Sequence, residues 1–181
     1  VTKQAGKMIL TDDNFGTLVT AVRLGRNTYD TIASYVRFQM SQLLGLVALF
    51  LTASIFNINE GVALTPLMIL FLNFFVVLFP VIVIMQEPPG PGTMQRPPRD
   101  PNLKLANPVS IRDWIIYGGV LFVVTLAALL LGPGELMGEE PSVPMTMAFV
   151  VMAFGTILSG LVLRRDPESG LAEPVLGALK T

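Results

Sequence analysis

Polar and apolar positions divide the 181-residue chain into long blocks. Four apolar blocks reach spanning length, which is about 18–20 residues at about 1.5 Å per helical residue. They are FQMSQLLGLVALFLTASIF (38–56), PLMILFLNFFVVLFPVIVIM (66–85), WIIYGGVLFVVTLAALLL (114–131) and MTMAFVVMAFGTILSGLVL (145–163). None contains Asp, Glu, Lys or Arg. Buried helices of a soluble protein would need amphipathic elements to cover them, and the rest of the chain offers too few. The pattern predicts an all-α fold, a polytopic membrane bundle of four transmembrane helices in two hairpins.

Ahead of the first block, Phe15, Leu18, Val19 and Val22 recur at helical spacing. Asp13 or Asn14 suits the start of that helix, and Asp12 with Asp13 suits its positive end. No proline separates it from the first block. Two arrangements follow: one rod running from cytosol into membrane, weakened at Gly16 and Gly25, or a separate amphipathic helix lying on the membrane surface. The segment 86–113, QEPPGPGTMQRPPRDPNLKLANPVSIRD, is dense in proline. Proline removes backbone donors and restricts the residue before it. We expect an extended, stiff strap there.

Composition agrees with a membrane class: 52% of residues are hydrophobic and 14% charged, with a mean hydropathy of +0.64. All 12 Lys and Arg residues fall before the first block, in the strap or after the fourth block. The loops 57–65 and 132–144 carry Glu60, Glu135, Glu139 and Glu140 and no positive charge. Positive charge marks the cytoplasmic side. Both termini and the strap are therefore expected in the cytoplasm, with Trp114 and Tyr117 anchoring the third span at that interface. The opening VTKQAGKMILTDDNFG is polar and mixed in charge, so no cleavable signal peptide is expected. It starts with Val, as a fragment or an unusual start codon would. There is no Cys and no His, which removes thiolate and imidazole metal ligands and the usual neutral-pH base. No basic patch of nucleic-acid type stands out.

Three stretches carry a resemblance. MILTDDNFGTLVTAVRLGRNTYDTIASYVRF resembles the junction in P-type cation-transporting ATPases where the phosphorylation domain ends and the stalk enters the fifth membrane helix. PPGPGTMQRPPR resembles the loop after the sixth helix, with Arg96, Pro97, Pro98 and Arg99 in the matching "RPPR". TMAF resembles the start of the eighth helix. Order and spacing agree across nearly the whole chain, and the likeness is greatest to the type II branch, which includes calcium pumps. The resemblance implies helices five to eight of a ten-helix transport domain. Residues 1–30 would be the end of the phosphorylation domain and the stalk, 31–163 the membrane domain, and 164–181 a cytoplasmic segment. It implies ATP and Mg2+ for the complete pump, with no cofactor in this chain. The partners implied are a lipid bilayer, a transported cation and an N-terminal half holding helices one to four. The location implied is integral membrane, in the cell membrane. DKTGT, TGES and GDGxNDxP are absent, so this chain alone should not hydrolyse ATP. Asp12 and Asp13 fit a helix start and not a phosphorylated aspartate.

The resemblance also points to ion ligands, and here the chain departs from the family. The sixth-helix pattern is close to "NLVTDGLP". Asn73 and Pro80 match it, but Val76 and Val77 replace Thr and Asp. The fifth-helix pattern "SSNxGE" falls on residues 41–46, where both Asn and Glu have become Leu. A one-residue shift puts Gln42 at the Asn position. A hard divalent cation needs several oxygens, carboxylates among them, and these spans offer only neutral oxygens. Asn73 and Gln42 are the expected ligands, with Pro80 expected to disturb the helix and free carbonyls. The plain alternative for Asn73 is an interhelical hydrogen bond, worth about 0.6–2 kcal/mol. At the level of the whole chain, the alternative to a pump segment is a degenerate remnant or membrane scaffold that binds no ion. A small channel built of two hairpins would want paired broken helices, and the hairpins share no such pattern.

Overall fold

A computed structural model of the protein describes residues 14–88, 93–95, 97, 106, 108–133 and 142–164. Among these residues every regular element is helical, and four stretches are long and apolar enough to cross a membrane. Asn14 starts the first helix. Its backbone is extended, and its Oδ1 accepts from the Gly16 amide at 2.9 Å, satisfying one of the donors that a helix start leaves open. Helix α1 then runs without a break from Phe15 to Ile55, 41 residues, or about 61 Å. The rod is the arrangement adopted. Its buried positions, Ser34, Arg37, Phe38, Ser41, Gln42, Gly45, Leu49 and Ala53, follow a spacing of three and four. One stripe of the helix therefore faces the bundle. Phe15, Val19 and Val22, on the earlier part of the rod, are exposed.

α1 ends when the Phe56 amide bonds Thr52 O at 3.0 Å. The chain then reverses through Asn57, Asn59, Glu60 and Gly61, all with positive φ. Asn tolerates the left-handed region better than most residues. Asn59 is also tied down: its Nδ2 donates to Val62 O (2.9 Å) and to Met145 Sδ (3.3 Å).

The second span has three parts. Helix α2 (Pro66–Phe71) starts with Thr65 as cap and Pro66 in its first turn, where the missing amide costs nothing. A π-helical turn follows at Leu72–Val76, then helix α3 (Leu78–Met85). Helix α4 covers Pro108–Leu131 and helix α5 covers Val143–Leu163. Both begin earlier than their apolar blocks, α4 by six residues and α5 by two, because proline is well placed in a first turn. Ser142 caps α5 by accepting from the Met145 amide at 3.4 Å.

Two apolar clusters hold the bundle. The larger joins Leu49 and Ala53 of α1, Leu72 and Val76 of the π turn, Leu129 of α4, and Met145, Ala148 and Met152 of α5. The smaller joins Phe38, Val77, Ile84 and Leu163, with Tyr35, Val81 and Tyr117 against them. Small residues bring the backbones close. A Cβ on Gly118 would lie 2.7 Å from Ser41 O, and one on Gly45 would lie 3.0 Å from Gly118 O. Ser41 and Gly45, small residues four apart, thus form the face on which α1 meets α4. Gly160 of α5 receives the ring of Pro80, with the Phe38 ring beside it.

Candidate functional site

Pro80 has no amide to give the Val76 carbonyl, and its ring crowds that carbonyl. The chain adjusts one turn earlier, where the Val77 amide reaches back five residues to Leu72 O at 3.0 Å. A π turn inserts one residue into a helix and occurs frequently at functional sites. The expected disturbance is therefore a widened turn ahead of Pro80, while Pro80 itself lies within α3.

Asn73 sits in that turn. Its side chain is exposed and folds back on its own helix, Nδ2 donating to Ile69 O at 2.9 Å. Among the described residues it makes no hydrogen bond to another helix. On the same span Leu67, Leu70, Phe71, Phe74 and Phe75 line a shallow apolar groove of about 300 Å³, which does not include Asn73. The Phe71 ring stacks on Phe75 at 5.0 Å and meets Phe149 of α5 edge-on at 5.9 Å.

Gln42 points the other way. It is 2% exposed, and its Oε1 has no hydrogen-bond partner. Thr156 of α5 is also fully buried, with Oγ1 unpartnered. One contact relates their depths. Gly160 touches both Phe38 and Pro80, and residues four apart share a helix face. One turn along each element from that contact, about 6 Å, lie Gln42 on α1, Thr156 on α5 and Val76 in the π turn. By this count two unsatisfied neutral oxygens and a widened turn lie at about the same level of the interior. Asn73 and Gln42 are not brought together: no hydrogen bond joins them, and one faces out while the other is enclosed. Thr156 stood in the sequence only as one oxygen-bearing residue among many. Its spacing from Gly160 is the signal that singles it out, and it needs the tertiary contact to be read.

Among the described residues no group of three or more acidic, His or Cys side chains could hold a metal ion. The charge buried near these spans is of another kind. Arg37 Nη1 meets Asp113 Oδ2 at 3.0 Å, with both side chains under one-tenth exposed. Sequence reading missed this pair, whose members each lie one residue before an apolar block, on the same side.

The other expected site residues divide. Asp12, Asp13, Arg96, Pro98 and Arg99 lie outside the described residues. Pro97 is exposed. Close by, Thr93–Gln95 forms a turn, and Arg26 Nη1 of the rod donates to Thr93 O at 2.9 Å. The strap therefore touches the rod at this point. Its near end is held as well, by Glu87 facing Arg164 at 3.8 Å.

The four long apolar helices define an integral membrane protein, and α1 extends well ahead of its apolar block. The family described as "Cation transporting ATPase, C-terminus" matches residues 61–177. The chain is 27% identical over 169 residues to Calcium-transporting ATPase 1 of Yarrowia lipolytica, covering 93% of this chain and 18% of that protein. It is 30% identical over 184 residues to Calcium-transporting ATPase 1 of Bacillus cereus, covering 93% and 20%. Plasma membrane calcium-transporting ATPase 4 of Bos taurus matches at 30% over 135 residues, covering 75% and 11%. The chain belongs to the P-type cation-transporting ATPases and corresponds to their C-terminal membrane region. It spans about one fifth of the length of the first two relatives.

Proposed function

We propose that the chain forms helices five to eight of the ion-translocation domain of an ATP-driven cation pump. The remaining helices, the ATP site and its Mg2+ belong to other parts of that pump. The observation that carries this reading is α1, unbroken from Phe15 to Ile55. One helix links the region outside the bundle to the level of Gln42 and the π turn, and so can pass movement to the ion path. The charge distribution supports cytoplasmic termini and strap, and the relatives' names support a cell-membrane cation pump.

Asn73 is the proposed ligand on the outward face, where the rest of the transport domain would pack. Its amide holds only its own helix, so an ion can claim the oxygen without stranding a neighbour. Gln42 is the proposed interior ligand, its Oε1 already desolvated and unpaired. In the full-length pump, Asn73→Ala should raise the ion concentration for half-maximal ATPase stimulation by roughly 3–30-fold. That is the loss of about 0.6–2 kcal/mol of polar interaction. The measurement is ion-stimulated ATP hydrolysis in membranes, titrated separately with Ca2+, Na+ and K+.

The neutral oxygens favour a second reading, a scaffold that binds no ion. Desolvating a divalent cation among amides and hydroxyls alone is costly. If no cation stimulates hydrolysis and Asn73→Ala changes nothing, the scaffold stands and the pump reading falls.

A further inference from the structure

Among the described residues, Arg37 and Asp113 are the only oppositely charged pair with both side chains under one-tenth exposed. Asp113 uses both oxygens: Oδ2 takes Arg37 of α1 at 3.0 Å, and Oδ1 takes the half-exposed Arg112 at 3.3 Å. The pair sits beside the closest approach of two helices. Ser41, four residues from Arg37, donates its hydroxyl to Arg37 O at 2.8 Å. The Ser41 carbonyl in turn faces Gly118, five residues from Asp113. Ion pair and backbone contact are thus two fixed points on the same helix pair, about one turn apart.

The two points do different work. A contact between small residues sets how near two helices lie, but its smooth surface resists sliding poorly. A buried ion pair does resist sliding, because a shift of one turn, about 5.4 Å, would pull two buried, opposite charges apart. Such a pair is weak evidence for net stability, since well-packed apolar residues often serve as well; its best-attested use is to specify register.

We propose that Asp113 is a positioning residue that fixes the axial register of α1 against α4. Movement of the rod then reaches the Gln42–Thr156 level as rigid displacement and is not lost in sliding. The proposal rests on the pump reading for its consequence in transport, but not for the register itself.

Two readouts test it, both on the full-length pump in membranes. The first is the number of ions moved per ATP hydrolysed. Arg37→Leu with Asp113→Leu removes both charges of the lock together. This variant should keep ion-stimulated hydrolysis within about twofold and lose at least about threefold in the ion-to-ATP ratio. Arg37→Lys keeps the charge and should keep the ratio. The second readout is register. This chain has no native cysteine, and a Cβ at position 45 lies 3.2 Å from that of Leu121. Gly45→Cys with Leu121→Cys should cross-link under mild oxidation, several-fold more slowly once the ion pair is replaced by leucines. If the double-leucine variant does not reach the membrane, Asp113→Asn carries both assays. An unchanged ratio overturns the proposal, and so does an unchanged cross-linking rate. If the unaltered pump shows no ion-stimulated hydrolysis, the pump reading fails, and the cross-linking rate still decides the register.

Discussion

Gly160 shows how much one hydrogen atom can decide. A methyl group there would collide with the Pro80 ring and press on Phe38, while one on Gly119 would meet nothing within 4 Å. Gly160→Ala should therefore destabilise the folded bundle by about 1–3 kcal/mol through overpacking. Gly119→Ala should be neutral or slightly stabilising. Unfolding of the two variants in mixed micelles, followed by circular dichroism, checks the contrast. In the sequence both were glycines in an apolar block. A spacing of four between small residues marks Ser41 and Gly45 as a place of close approach. Spacing alone does not separate Gly118, pressed on Ser41 O, from its open neighbour Gly119. Gly155 meets a side chain, Leu121, and Ser159 turns its hydroxyl onto Thr156 O. Composition marks where close contact is allowed, and only the facing helix decides where it happens. The amides divide the same way: Asn73 and Gln42 could be chosen by residue type, but which of them faced inward depended on partners up to a hundred residues distant.

At the scale of elements, α1 was the open question and the second span the surprise. Nothing local forbade a helix between Asn14 and the first span, yet nothing local joined the two parts either. Burial of one stripe from Ser34 to Ala53 supplies the tertiary support that makes the rod continuous. Gly25 lies mid-rod with open space around it. Gly25→Ala should stabilise the helix by roughly 1 kcal/mol. Gly25→Pro should cost about 3 kcal/mol or more and sever residues 15–24 from the rest. Amide hydrogen exchange over residues 15–30 would rise steeply in the proline variant and fall in the alanine variant. Equal protection in both would mean the rod is not one cooperative element. In the second span, Pro80 announced a disturbance but not its form. The π turn arises because α3 must stay regular to pack its proline into Gly160, so the extra residue is taken up one turn earlier.

For the whole molecule, the four spans and two hairpins were legible because an apolar block of spanning length has few other uses. The Arg37–Asp113 pair was not legible, since its partners lie 76 residues apart and each reads alone as a boundary charge. The orientation we propose is open to direct measurement. With no native cysteine in the chain, single cysteines can report sidedness. Glu60→Cys should react with a membrane-impermeant maleimide added outside intact cells. Met94→Cys should react only after the cells are opened. The reverse pattern would invert the topology and put the rod on the wrong side for an ATP-driven machine.

The length of α1 has a mechanical consequence. If α1 and α4, held together, sway as one body about the level of Gly45, Phe15 lies about 45 Å from that fulcrum, Arg37 about 12 Å and Gln42 about 4.5 Å, at 1.5 Å per residue. A sway of about 4 Å at the far end arrives as about 1 Å at the ion pair and about 0.4 Å at Gln42. The rod is geared down by roughly tenfold. Coarse motion outside the bundle becomes fine adjustment inside it, with force multiplied as travel shrinks. A binding site tuned at the scale of tenths of an ångström can thus be worked by parts that move through several.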